Sequence, residues 1–110
     1  MARDLRRGEI WTYEFRSPDK RRPVVVLTRS SAIRFLNRVM VAPITSTIRG
    51  SPGEVVIGVA QGLKKDSAVN LDHVQTVERA RLARRVGQLD PDMMKAVCQA
   101  LAIATGCDER

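Results

Sequence analysis

Lys20-Arg21-Arg22-Pro23-Val24-Val25-Val26-Leu27 is the stretch on which the fold turns. The four residues after Pro23 are uncharged and mostly β-branched. Such a run suits a central strand covered on both faces better than a strand with one wet side. Pro23 restricts the residue before it to an extended backbone, so Arg22 should enter this strand in a set direction.

Outward from that strand the chain keeps reading as short strands. Upstream, Glu9 to Phe15 carries Ile10, Trp11, Tyr13 and Phe15 in a partial alternation, and Ser17-Pro18-Asp19 supplies a turn. Downstream, Val39-Met40-Val41-Ala42-Pro43-Ile44 is a third apolar run. Pro43 lacks a donor and should mark an edge, a bulge or the strand's end. A turn at Gly50-Ser51-Pro52-Gly53 opens a fourth strand, Glu54 to Val59. Two short extended segments follow, around Ser67–Leu71 and Val74–Val77. Strands this short suit a small curled barrel, mainly β, better than a wide open sheet.

The period then changes. Asp90-Pro91 reads as N-cap and first residue of a helix. Met94, Val97, Leu101 and Ala104 form its apolar stripe, with Cys98 widening it, and Gly106 is placed to end it. This helix should bury one face against the barrel or a second subunit.

A chain of 110 residues is expected to be one domain spanning 1–110. Its formal charge is +7, distributed unevenly: residues 1–49 hold 11 Lys/Arg against 4 Asp/Glu, and residues 50–110 hold 8 of each. An excess confined to one half points to a face that attracts a polyanion, although charge also serves solubility. Cys98 and Cys107 lack CxxC spacing, and Cys98 reads as a small buried hydrophobe, so a disulfide framework is not expected. With no apolar leader after Met1 and no stretch long enough to span a membrane, the expectation is a cytoplasmic protein.

Metal chemistry is poorly served by one His, two separated Cys and no metal-loop motif, so neither a metal nor another cofactor is expected. His73 is the only imidazole. This rules out a two-histidine ribonuclease within one chain, and Asp72-His73 reads equally as an inter-strand turn. Lys20, Arg21 and Arg22 are candidates for gripping phosphate, Arg22 best placed of the three; the competing reading is a solvated surface cluster. Thr45-Ser46-Thr47, followed by Arg49, offers three hydroxyls at a strand end, for phosphate oxygens or for their own turn. Lys64-Lys65 and Arg84-Arg85 are candidate backbone contacts. Four aromatic residues are few for a long stacking platform.

Taken in order, these pieces resemble the MazF/PemK family of toxin endoribonucleases. The matching stretches are Arg6-Arg7-Gly8-Glu9-Ile10-Trp11, Arg22-Pro23-Val24-Val25-Val26-Leu27 and Val41-Ala42-Pro43-Ile44-Thr45-Ser46. Pro52-Gly53-Glu54-Val55, Gly62-Leu63 with Asp66-Ser67, Asp72-His73-Val74-Gln75-Thr76-Val77 and Gly87-Gln88-Leu89 follow. The resemblance implies an SH3-like barrel of the CcdB/PemK type with a C-terminal helix, acting as a homodimer. It implies metal-independent cleavage of single-stranded RNA, chiefly mRNA, at short motifs, through attack by the RNA's own 2′-hydroxyl. It also implies a cognate antitoxin that blocks the site with an acidic segment. The family's catalytic arginine falls on Arg22 and its catalytic threonine on Thr45. Lys20, Arg21, Ser46, Thr47, Arg49, Lys64 and Lys65 are the candidate RNA contacts, and His73 is one candidate acid or base beside a carboxylate or solvent.

One departure stands out. Only Arg16 to Arg21 fills the space where many relatives have a longer Gly-rich loop, so a relative's cleavage motif does not transfer. Two other readings stay open on the sequence: a gyrase-poisoning toxin of the same fold, and an RNA-binding module without catalysis.

Overall fold

A computed structural model describes residues 4–15 and 21–109. The uncharged run after Pro23 lies in β2 (Arg21–Val26), between β1 (Glu9–Glu14) and β3 (Arg38–Thr45). Val24 and Val26 point into one apolar cluster with Tyr13, Ile33, Val41 and Leu82. Val25 points into the other with Ile10, Ala42, Ile44 and Val69. All three valines are 0% exposed, and burial of each such side chain contributes about 1.5–3 kcal/mol. The strand is covered on both faces, as its composition requires.

The remaining strands are β4 (Glu54–Ile57), β5 (Ser67–Asn70), β6 (Gln75–Glu78) and β7 (Leu82–Gln88). The sheet order is β4-β5-β3-β2-β1-β7, with β6 also on β3 and every pairing antiparallel. β3 is the hinge of this arrangement. Arg38–Val41 pair with β6, whereas Ile44 and Thr45 pair with β5. Pro43 falls between the two partners, so the strand runs on through it and the ladder breaks on one flank only. A residue without an N–H is tolerated there.

Two glycines draw the ends of the sheet together. A Cβ on Gly87, in β7, would collide with the carbonyl oxygen of Gln61, and one on Gly62 would lie 2.5 Å from the carbonyl oxygen of Val86. Gly62 also adopts φ +99°, which only glycine tolerates well. The turn after β4 can therefore lie directly on β7 and curl the sheet into a small barrel.

Several boundaries differ from the sequence expectation. β4 stops at Ile57, because Gly58 opens a 3-10 turn at Val59–Gln61. The segment expected over Ser67–Leu71 stops at Asn70, and Leu71–His73 form the 3-10 turn leading to β6. Two elements had no expectation: α1 (Ser30–Ile33), a single turn, and β7. In β7 Val86 and Ala83 are extra residues against β1, since Ile10 pairs with Gly87 but Trp11 with Arg85, and Thr12 with Arg84 but Tyr13 with Leu82. Two such bulges erase the alternation that marks a strand in sequence.

The C-terminal helix, α2 (Pro91–Thr105), has the expected ends. The Asp90 carboxylate accepts from the Met93 N–H at 2.8 Å, and Gly106 closes it at φ 75°. Its buried face differs from the expectation. Met94, Val97 and Ala100 are buried, Leu101 and Ala104 only partly, and Cys98 is exposed. Cys98 lies about 100° around the axis from Val97, on the flank where Arg7 Nη2 donates to its sulfur at 2.9 Å. Among the described residues, no helix is long and apolar enough to cross a membrane.

Candidate active site

The register that pairs Val24 with Pro43 and Val25 with Ala42, continued to the strand ends, sets Arg22 on β2 across from Thr45 on β3. An even spacing along each strand puts their side chains on one face. Both residues line two clefts that meet at them, one of about 410 Å³ and one of about 470 Å³. The hydroxyl stretch divides at this junction: Thr47 faces the first cleft, Ser46 the second and Thr45 both.

The second cleft is lined by cations. Lys64 and Lys65, carried on the loop after Gly62, join Arg22 there, and Arg84 reaches in from β7. Among the described residues, no carboxylate lines it. The wall exists because Gly62 and Gly87 let that loop lie on β7. Arg85, the neighbour of Arg84, faces elsewhere. Its Nε donates to Glu9 Oε2 at 2.9 Å, and the buried Glu9 also accepts from the Arg6 N–H and the Trp11 indole. Of the Arg84-Arg85 pair, only Arg84 lines the groove.

The first cleft is mixed in charge. Arg49 lines it with Glu54, Asp72 and His73, and Pro43 and Ile44 belong to the same lining. Glu54 Oε1 accepts from the backbone N–H groups of Arg49, Gly50 and Ser51 at 3.1, 2.9 and 3.3 Å. That oxygen is committed to shaping the turn. Asp72 Oδ2 accepts from the Ser51 hydroxyl at 3.4 Å.

His73 is held in a definite tautomer. Asn70 Oδ1 accepts from the Asp72 N–H at 3.0 Å, which orients the amide. Asn70 Nδ2 then faces His73 Nδ1 at 3.1 Å and must donate to it. The ring hydrogen of the neutral imidazole therefore sits on Nε2. In this arrangement His73 offers a donor, and its one lone pair is occupied.

Thr45 is also organised by its own turn. Its Oγ1 accepts from the Thr47 N–H at 3.1 Å, so the hydroxyl hydrogen remains to be donated. The turn and ligand readings of this stretch are thus compatible. Arg21 pairs with Glu14 at 3.4 Å, both more than half exposed, and lines neither cleft. Lys20 lies outside the described residues. Among the described residues, no three His, Cys, Asp or Glu gather where they could hold a metal ion.

Sequence reasoning did not single out Ser51, Glu54 or Asn70. The available signal was Asn70-Leu71-Asp72, an Asx turn spelled in three residues.

The sequence model for the PemK-like, MazF-like toxin of type II toxin-antitoxin system matches residues 6–105. The chain is 47% identical over 102 residues to probable endoribonuclease MazF5 of Mycobacterium tuberculosis, covering 92% of this chain and 93% of that one. It is 39% identical over 90 residues to endoribonuclease MazF3 of the same species, covering 82% and 87%. The solved structure of Mycobacterium tuberculosis toxin MazF-mt6 superposes with a TM-score of 0.83 at 36% identity, covering 89% of this chain and 96% of that one.

Proposed function

The chain belongs to the PemK-like, MazF-like toxins of type II toxin–antitoxin systems, and from that membership we propose how it works as an endoribonuclease. The observation that carries the reading is the meeting of Arg22 and Thr45 where the two clefts join. A single-stranded RNA lies through both clefts with its scissile phosphate at that junction.

In the reaction the 2′-hydroxyl of the nucleotide before the cut attacks phosphorus. The 2′-hydroxyl gives up its proton to solvent, the bond to the departing 5′ oxygen breaks, and that oxygen takes up a proton, leaving a 2′,3′-cyclic phosphate and a 5′-hydroxyl. Arg22 holds charge on the non-bridging oxygens through paired N–H donors, and fixed donors gain strength where water is excluded. A guanidinium keeps its proton at neutral pH and makes a poor base, so Arg22 is a clamp first. Thr45 donates its hydroxyl hydrogen to a phosphate oxygen, its orientation set by the Thr47 N–H. Ser46, Lys64, Lys65 and Arg84 hold the backbone in the second cleft, and Thr47 and Arg49 do so in the first. These cations supply positive charge where a metal would otherwise do so, and we infer metal-independent cleavage. His73, with its hydrogen on Nε2, acts as a donor rather than as the base.

The antitoxin of such a system would occlude this groove with an acidic segment drawn by the same cations. We also take the enzyme to act as a homodimer. Met40, 45% exposed on β3, borders an apolar cleft against Leu101 of α2, a face suited to a second copy.

The decisive experiment uses a chimeric oligonucleotide with deoxyribose only at the nucleotide 5′ to the cut. It should bind and remain whole, while the all-RNA control is cut in excess EDTA and ends in a cyclic phosphate. Efficient cutting at the deoxy position would overturn the 2′-hydroxyl mechanism.

A further inference from the structure

The mechanism above leaves the Asp72 carboxylate without a task, although it faces the first cleft beside the Arg22–Thr45 junction. A carboxylate repels a second phosphate there, but it accepts readily from the N–H groups of a nucleobase. We propose that Asp72 and His73 together read the edge of one base adjacent to the cut and so set one position of the cleavage motif. The proposal rests on the RNA-cutting reading and extends it to substrate choice.

The pair is built as an acceptor and a donor. Asp72 Oδ2 is held by the Ser51 hydroxyl, leaving Oδ1 to accept from a ligand. His73 presents its Nε2–H because Asn70 occupies Nδ1. The Asp72 carboxylate lies against Gly53, where any Cβ would overlap it. Gly53 in turn ties two turns together: its N–H donates to Ser51 Oγ at 3.1 Å, and its carbonyl accepts from the Leu71 N–H at 2.8 Å. Both readers therefore stand on backbone that is already braced before RNA arrives.

The shape of the cleft suits a base as well. Half-buried Pro43 lines the cleft together with the acceptor and donor and offers apolar contact to the flat face of a base. Glu54 differs from Asp72 in that its Oε1 gathers three backbone N–H groups of the 49–51 turn, which holds that carboxylate to the turn. The other cleft contrasts with this one. Cations that grip phosphate carry no sequence information, and among the described residues Lys64, Lys65 and Arg84 line that side without a carboxylate. The base selected is one that offers a ring or amino hydrogen to Asp72 beside an acceptor for His73.

The test cuts a random-sequence RNA pool with the wild type, Asp72→Ala and His73→Ala, and sequences the new ends. Both variants should relax the preference at the same single position, losing about 5- to 150-fold discrimination there, while other positions keep theirs. Replacing that base by an analogue without the hydrogen-bonding group should slow the wild type and leave Asp72→Ala indifferent. His73→Gln, which retains a donor, should keep more of the preference than His73→Ala. Circular dichroism and melting establish that each variant folds. An unchanged motif in both alanine variants, or an equal loss at every position, overturns the proposal. Should the wild type cut nothing, the nuclease reading falls, and the base reader is judged from RNAs enriched by binding. One enriched base lost in Asp72→Ala supports it, and identical enrichment overturns it.

Discussion

Arg22 and Thr45 stand across from each other at the ends of β2 and β3, on the register fixed by Val24 and Pro43, and both line the two clefts that meet there. Residues 23 apart in sequence become neighbours because two buried strands between them admit one register. A slip by one residue would turn the Val24 and Val26 face into the opposite core. The groove is therefore held by the same burial that holds the barrel.

Arg22→Ala should lower the single-turnover cleavage rate by about 10²–10³-fold, the usual cost of losing a preorganised donor to a developing negative charge. Arg22→Lys should recover little, since a point charge cannot make two parallel hydrogen bonds. Rapid-quench kinetics at saturating enzyme, on variants checked for folding, measures this directly.

Thr45→Ala should cost less. One neutral hydrogen bond is worth about 0.5–1.5 kcal/mol, rising toward roughly 3 kcal/mol where it is aimed at the transition state. Thr45→Ser keeps the hydroxyl and should retain most of the rate, while Thr45→Val, equal in shape, should behave like Ala. Equal rates for Ser and Val variants would remove the hydroxyl from the mechanism.

Lys64 and Lys65 should act on affinity alone. Replacing both with Ala should weaken binding to every RNA sequence alike. It should also shallow the dependence of log K on log salt by about 1.4, at roughly 0.7 for each phosphate contact on a single strand. Fluorescence anisotropy with uncleavable oligonucleotides over a salt series reads both effects.

Gly87→Ala should separate barrel closure from chemistry. Its Cβ meets the Gln61 carbonyl, and overpacking of this kind costs about 1–3 kcal/mol. Denaturant midpoint should fall, and RNA affinity with it, because the displaced turn carries the Lys64-Lys65 wall. A variant with wild-type stability would show that this contact does not close the sheet.

Homodimerisation predicts a light-scattering mass of about twice the 12.2 kDa of one chain at micromolar concentration. Met40→Glu, which places a charge in the apolar face beside α2, should shift the mass toward the monomer. A wild-type mass near 12.2 kDa would remove the dimer from this account.

Whatever depends on near neighbours could be read from the chain alone. Four uncharged residues after Pro23 demanded a strand buried on both faces, and β2 is one. Asp90-Pro91 and Gly106 delimited α2, because caps act within one turn. Tertiary pairing decided the rest. β7 escaped notice because two bulges and paired arginines break its alternation, and only β1 opposite makes it a strand. Cys98 was assigned to the wrong flank because the stripe on α2 fixes a period, while the barrel beneath chooses which side is buried. The sequence could present Arg22, Thr45, Lys64 and His73 as separate candidates. Their gathering around one junction, and the hydrogen on His73 Nε2 directed by Asn70, follow from contacts between strands and turns far apart in the chain. Local preference is set within a few residues of backbone, whereas a site is set by long-range pairing whose energy comes from burying both sides of β2 and β3.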